Sequence, residues 1–387
     1  MTDVLLFDPH AGGHHTEFVR WLVRGWRARG GRLVVAAPSA MGDDPEIARA
    51  CRGGHAVLAP LPEVARASLR DLRHEERWMF LEVVARHRPR HAVVMYAESL
   101  LGALARRVAL PPGTRVSGLL FRPTLHYTAL GSPPDRIADA ARRQAKAAVF
   151  ALAARHPSVE AVFTLDPEAT HALQRAAGST PVVPLPDPLP AAPPPRAEAR
   201  ARLRAMAGVD GGRQLAVLFG SLDERKGVSV LLDAIEQLPE ARAKEMAVLL
   251  AGPLAGALAS RVHQRAAKLD SGVQLVLLDR RLTDAEADAA VAGADLALLP
   301  YQRHVGSSGV LVRAAAAGVP VLAQAWGLVG HQVRTYGLGA TVDSASPDAL
   351  ARALARPWPV STDRREAFLR DRTPERFASI VYDTLLG

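Results

Sequence analysis

The chain has 387 residues, enough for two or three domains at about 150 residues each, and its 49% hydrophobic content excludes a disordered or fibrous polymer. The formal charge is +9, yet the only lysines are Lys146, Lys226, Lys244 and Lys268, and the arginines are spread along the chain without forming a block. With aromatics at 5% there is no base-stacking platform, so no nucleic-acid partner is expected.

The basic balance reads either as attraction to an anionic surface or phosphorylated substrate, or as plain Arg-rich composition. Cys51 is the sole cysteine, which excludes an intramolecular disulfide and a cysteine zinc site. The apolar run Val4 to Phe7 is too short for a signal peptide. The uncharged stretch Met246 to Ser260 is broken by Gly252-Pro253 and falls short of a membrane span. A cytoplasmic location is expected, with peripheral membrane contact left open.

In chain order, Val4-Leu5-Leu6-Phe7 reads as a strand and is followed by a loop through Gly12-Gly13-His14-His15. Thr16 is a candidate cap for the next helix, whose apolar positions are Phe18, Trp21, Leu22, Val23 and Trp26. Gly30-Gly31 ends that helix. Strands are predicted at 33–37, 56–58, 92–95, 116–121 and 162–165, with an amphipathic helix around 63–88 and an Ala-rich helix near 135–155. Continuous apolar strands alternating with helices predict a parallel sheet covered on both faces.

The run from Pro184 to Pro195 cannot be helix interior or central strand. It predicts a stiff linker over 184–196 after a first domain of 1–183. The second half repeats the alternation, with strands at 214–219, 246–251, 273–278, 295–299 and 319–323. Helices are predicted near 227–238, 254–269, 283–292 and 309–317. A second domain over 197–361 and a terminal helical segment over 362–387 complete the order. The predicted fold class is α/β, with two Rossmann-like doubly wound domains facing a cleft and ligands at the C-terminal ends of the strands.

Four segments carry candidate chemistry. Gly220, Ser221 and Lys226 follow the strand 214–219, and Lys226 is expected at the start of a helix. Free N–H groups and partial positive charge attract phosphate there. The alternative is a surface lysine in a polar loop. After the strand 295–299, Gly306-Ser307-Ser308-Gly309 offers backbone N–H groups and hydroxyls to a diphosphate. The alternative is an ordinary serine cap. Two such turns on one sheet favour the ligand reading.

The third segment is the loop Asp8 to His15, where Gly12 and Gly13 suggest close backbone approach. No carboxylate is obviously arranged with its three histidines, so no metal is expected. In the fourth, Arg122 and His126 follow the strand 116–120. They either contact substrate or serve as a surface arginine and a hydrogen-bonded structural histidine.

These segments together resemble the GT-B glycosyltransferases, close to glycosyltransferase family 4 (the group 1 transferases). The likeness runs over nearly the whole chain. Phe219-Gly220 through Lys226-Gly227 is similar to the family's Gly-Arg…Lys-Gly segment. Gly306 through Ala323 is similar to its Glu-Gly-Phe-Gly…Glu-Ala-Met-Ala-Cys-Gly-Thr-Pro-Val-Val block, and Gly12-Gly13 falls at its glycine pair. The resemblance implies a hexosyltransferase that uses a nucleotide-diphosphate sugar, with retention of configuration and no cofactor or metal. The acceptor is a small molecule, a glycan or a lipid-linked species, and the terminal helix packs back on the first domain.

For the site, the resemblance implies that Lys226 and His126 are catalytic. It implies that Gly12, Gly13, Arg122, Gly220, Ser221, Lys226, Gly306, Ser307, Ser308 and Gly309 bind the donor. The sequence departs from the family at four places: Ser221 stands at its arginine, Val305 and Arg313 stand at the two glutamates of its Glu-x7-Glu motif, and around Gly327-Leu-Val-Gly330-His331 its usual Gly-x-Pro-Glu has no glutamate. Arg313 is left either to face phosphate or to pair with an acid elsewhere. The departures keep a catalytically silent nucleotide-sugar-binding partner in view, and a GT-B sugar-nucleotide epimerase is a further alternative. The helix over 63–88, with Arg66, Arg70, Arg73, Arg77 and Trp78, is a candidate to lie on an anionic membrane, although its own acids dilute that signal.

Overall fold

The computed structural model describes residues 2–62, 69–131, 137–189, 191–209, 212–269 and 271–387. Part of the predicted 63–88 helix, including Arg66, the start of the helix near 135–155 and Pro190 of the linker lie outside them. The chain divides into two compact units. Met1–Thr128, Pro134–Pro186 and Thr373–Gly387 make up the first, and Asp187–Arg372 with Ala129–Pro133 make up the second.

The first unit is built on seven parallel strands: β1 (Val4–Phe7), β2 (Leu33–Pro38), β3 (Ala56–Leu61), β4 (His91–Val94), β5 (Arg115–Leu120), β6 (Val159–Thr164) and β7 (Val182–Pro184). Their order is β3-β2-β1-β4-β5-β6-β7. β1 shows why a continuous apolar run is required. Val4 and Leu6 enter a core with Phe18, Leu22 and Phe377, while Leu5 and Phe7 enter a separate core with Met79, Phe80 and Val84. Each face of the sheet is therefore covered by its own layer of helices.

The second unit repeats the plan with β8 (Gln214–Phe219), β9 (Met246–Ala251), β10 (Gln274–Leu278), β11 (Leu296–Leu299), β12 (Val321–Gln324) and β13 (Gly339–Val342). The order is β10-β9-β8-β11-β12-β13, and every pair is parallel. Leu215 and Val217 pack on one face, and Ala216 and Leu218 on the other. Both units are thus Rossmann-like, and in each the strand order reverses at one point, between β1 and β4 and between β8 and β11. Loops at the C-terminal ends of such neighbouring strands diverge and leave a crevice for ligand.

Three local expectations change. Thr16 is not the helix cap: the helix His14–Trp26 starts three residues earlier than that cap implies, from Gly13, and the Thr16 hydroxyl accepts the Gly12 N–H at 2.9 Å. The short strands β7 and β13 extend the two sheets beyond the predicted set. The terminal segment is two helices rather than one. Thr362–Leu369 packs in the second unit against Gly309–Ala316 and Gly327–Tyr336, and Pro374–Leu386 packs in the first against His14–Trp26. Among the described residues no helix is long and apolar enough to cross a membrane.

Candidate nucleotide-phosphate site

The second-unit site is built from two turns, one after β8 and one after β11, at the point where the strand order reverses. The first turn leaves β8 through Gly220, at φ 114°. Lys226 is not on the following helix as expected. It ends a short 3-10 turn, Glu224–Lys226, capped by the Asp223 side chain, and Gly227 then adopts φ 79° before the helix Val228–Glu236. The lysine side chain folds back over the strand end and is only 8% exposed. A Cβ at Gly220 would lie 3.3 Å from its Nζ, so glycine leaves room for that path.

Lys226 Nζ donates to the Phe219 carbonyl at 3.3 Å and to the Tyr301 hydroxyl at 3.0 Å, and lies 4.5 Å from the centroid of the Tyr301 ring. The Tyr301 hydroxyl is in turn 3.1 Å from Ser308 Oγ. Ser308 caps the helix Gly309–Ala316, accepting the Leu311 N–H. Lys226, Tyr301 and Ser308 thus form one polar chain that ties the two turns together. An ammonium has three N–H donors. Two are used here, which leaves one for a ligand.

The backbone adds a second tie. Gln302 N donates to the Arg225 carbonyl at 2.7 Å, and a Cβ at Gly227 would lie 2.1 Å from the Pro300 oxygen. Arg225 itself reaches His304 Nδ1 at 3.1 Å, and His304 Nε2 lies 3.1 Å from the Ser307 carbonyl. A guanidinium only donates and a carbonyl only accepts, so these partners select the neutral imidazole with the proton on Nε2. Arg303 between them has φ 50°, a conformation that L residues seldom adopt outside such constrained turns. Gly306 follows at φ 98°. None of the amide N–H groups of Ser307, Ser308, Gly309 and Val310 donates to another described residue. With the helix dipole behind them, they form an anion-binding edge.

The structure therefore brings Gly220, Lys226, Gly306 and Ser308 together. Ser221 is exposed on the first turn and Gly309 on the second. The Ser307 side chain instead acts on buried Asp187. Burial raises the pKa of that carboxyl, against the opposing pull of Arg372, of Ser307 and of Arg313. Arg313 pairs with Asp288. Val305 is half-buried beside the turn.

The remaining sequence candidates lie in the first unit. Asp8, 1% exposed, ends β1, accepts the His10 N–H at 3.0 Å and holds His15 Nδ1 at 2.9 Å. Gly12 and Gly13 have φ of 86° and 55°. A Cβ on Gly13 would meet nothing within 4 Å, so its glycine answers to backbone conformation and not to close packing. His10 pairs with buried Glu76 at 3.2 Å. His14 has an exposed edge, but its ring sits against His15 and Phe121. Desolvation first, then His15, Arg122 and His10, push its pKa down to about 4.

Glu98, after β4, accepts the N–H groups of Phe121 and Arg122 at 2.7 and 2.8 Å, which fixes the start of the Arg122 loop. Its pKa is raised by burial, and those bonds counter part of the rise. His126 is 8% exposed and its Nε2 lies 3.0 Å from Asp166 Oδ2, in an ion-pair contact poorly aligned for a hydrogen bond. The Tyr127 hydroxyl donates to the same carboxylate at 3.1 Å.

Sequence reasoning missed Tyr301, Arg225 and His304 as members of this site, and in the first unit it missed Asp8, Glu98 and Asp166 as the buried acids beside His15, the Arg122 loop and His126. One signal was available for Tyr301: an aromatic directly after a buried strand, with a hydroxyl that needs a partner.

The profile of the family described as glycosyl transferases group 1 matches residues 199–357. No curated protein sequence matches the chain at a significant level. Several solved structures share its fold. WaaG, a glycosyltransferase involved in lipopolysaccharide biosynthesis, is 18% identical with a TM-score of 0.67, covering 98% of this chain and 99% of its own. HepE from Anabaena, solved with UDP and glucose, is 17% identical with a TM-score of 0.64, covering 100% and 96%. A UDP-forming α,α-trehalose-phosphate synthase from Burkholderia xenovorans, solved with glucose-6-phosphate, is 13% identical with a TM-score of 0.67, covering 100% of both chains. The matched stretch holds Lys226, Tyr301 and the Gly306–Gly309 turn.

Proposed function

We propose that this chain is a family 4 hexosyltransferase that moves a sugar from a nucleotide-diphosphate sugar to an acceptor hydroxyl with retention of configuration. The observation that carries the reading is the Lys226–Tyr301–Ser308 chain beside the unpaired amides of Ser307 to Val310. The similarity to HepE, solved with UDP and glucose, supports a nucleotide-sugar donor. Retention and the hexosyl subtype rest on the family resemblance. In this reading the protein is cytoplasmic, and the donor's charge is balanced by protein groups without a metal.

The chemistry is electrostatic. As the glycosidic bond to the diphosphate breaks, negative charge grows on the leaving oxygens. The free N–H of Lys226, with Arg225 behind it, and the amide edge at Ser307–Val310 stabilise that charge without reorganising. His126, oriented by Asp166, takes part at the reacting centre.

Lys226→Ala is expected to lower turnover by about 100-fold or more, as loss of a charge-stabilising donor does. The assay is transfer from UDP-glucose and GDP-mannose, after a thermal-shift panel of UDP, GDP, ADP, CMP and dTDP has named the base. A nucleotide at 100 times its dissociation constant adds about 2.7 kcal/mol of stability. Turnover unchanged in the variant, with circular dichroism unchanged, sinks the assignment. Arg313 is held by Asp288 and Val305 carries no charge, so neither replaces a motif glutamate. That favours a second reading, a silent nucleotide-sugar-binding partner. Nucleotide binding without hydrolysis or transfer of any donor tested would select it.

A further inference from the structure

The first unit contains a cavity of about 1400 Å³ that the donor site does not use. Its floor is the C-terminal ends of β4 and β5, with Tyr96, Glu98 and Leu120. One wall is the helix Leu69–His87, and the other is formed by the helices Leu101–Ala105 and Ile137–Ala154. Four cations line it, each from a different segment: Arg77, Arg106, Arg122 and Lys146. None of the four forms an ion pair with a described carboxylate, and Arg106 bonds only to the Gly102 carbonyl.

Other arginines, among them Arg49, Arg52 and Arg107, also have no described ion pair, so what sets these four apart is that they line one cavity, while several elsewhere are paired. Arg20 pairs with Asp44, Arg204 with Asp295, Arg265 with Asp233 and Glu236, and Arg280 with Glu286. The two acids in the cavity wall do not balance the four cations. Glu75 is one, and Glu98 is the other, with one oxygen already held by two backbone N–H groups and its pKa raised by burial. Like charges converging on a low-dielectric wall raise the local concentration of anions. Between the cations the wall is apolar, with Leu101, Leu125, Val149 and Phe150. The volume exceeds what a monosaccharide needs, since drug-sized sites run to roughly 300–1000 Å³.

We propose that this cavity binds the acceptor, and that the acceptor is a phosphate ester with an apolar or extended body. The phosphate oxygens are held by Arg106 and Lys146 with Arg77 and Arg122, and the body lies along Val149 and Phe150. The identification of the ligand as acceptor rests on the transferase reading above, whereas the anion site itself does not. A phosphate ester reaches such a site either as a free sugar phosphate or as a lipid headgroup, and the two are distinguished by the probe.

The full-length protein is titrated with glucose 6-phosphate by calorimetry. It is also tested for co-sedimentation with vesicles of phosphatidylcholine alone and of phosphatidylcholine containing phosphatidic acid. The R106E/K146E variant, altered only at exposed positions, is measured beside it, together with binding of the nucleotide chosen by the thermal-shift panel. Expected is salt-sensitive binding of glucose 6-phosphate, of the phosphatidic-acid vesicles or of both, weakened about tenfold or more in the variant. Nucleotide binding should change by less than about twofold, since the donor site lies in the other unit. Binding of glucose 6-phosphate identifies the free ester, and binding of the acidic vesicles alone identifies the lipid. Binding of neither, or binding that charge reversal leaves intact, overturns the proposal. Loss of nucleotide binding in the wild type would instead overturn the donor reading and leave the anion result standing.

Discussion

Gly227 has φ 79°, and a Cβ there would lie 2.1 Å from the Pro300 oxygen. The residue is fixed by backbone conformation and by the neighbouring turn at once. Gly227→Ala must push the two turns apart as well as adopt a strained φ, so a loss of about 1–3 kcal/mol is expected. A urea unfolding curve with the wild-type midpoint would contradict this. At the same scale, His14 illustrates how a crowded ring titrates. Its folded pKa of about 4 lies below the ordinary 6.5, so it stays neutral at pH 6. An unfolded chain takes up that proton as pH falls through 6.5 while the folded one refuses it until about 4. Across that window His14 lowers stability as pH drops. Histidine ring shifts followed by NMR check the value, and a midpoint near 6.5 for His14 is the contrary result. Such shifts are not legible from sequence, because they arise from neighbours such as Phe121 that are far away in the chain.

The helix Pro374–Leu386 shows what an element contributes. Phe377 and Tyr382 are fully buried against the helix His14–Trp26, and the Tyr382 hydroxyl donates to the Leu22 carbonyl at 2.8 Å. Burial pushes the Tyr382 pKa upward, so the phenol stays protonated and the bond persists into alkaline solution. Tyr382→Phe should cost about 1 kcal/mol and Phe377→Ala about 3–5 kcal/mol, read from thermal unfolding. Equal effects from the two would show that the hydroxyl and not the ring carries the packing.

The elements most legible in the sequence were those with uniform pattern. β8 and β9 have the predicted bounds because six successive apolar or strand-forming residues admit no other reading there. β7 and β13 were illegible, because one has three residues ending at Pro184 and the other opens on Gly339. Within the site, the glycine turns were legible from spacing. The direction of Lys226 was not, since a helix start and a 3-10 turn capped by Asp223 share the same local letters. The partnership with Tyr301 spans 75 positions and leaves no trace in any short window.

At the scale of the molecule, the chain leaves the first unit after Pro186, completes the second, and returns at Thr373. The first unit is therefore discontinuous, while the second is a single span from Asp187 to Arg372 apart from Ala129–Pro133. Its sheet ends at Pro184, yet Phe377, Val381, Tyr382 and Leu385 of its core come at the far end of the sequence. Closing so long a loop carries an entropy cost that only the packed helix recovers.

That topology sets an order for synthesis on the ribosome. Phe18, Trp21 and Trp26 precede the second unit, but the side chains of Phe377 and Tyr382 that cover them are translated only after it. At about 5–20 residues per second, the nascent first unit waits tens of seconds or less with an apolar flank bare. The later unit has all of its own core residues translated first, which inverts the usual N-to-C sequence of maturation. A nascent chain stalled short of Thr373 is thus expected to leave the apolar face of the helix His14–Trp26 uncovered.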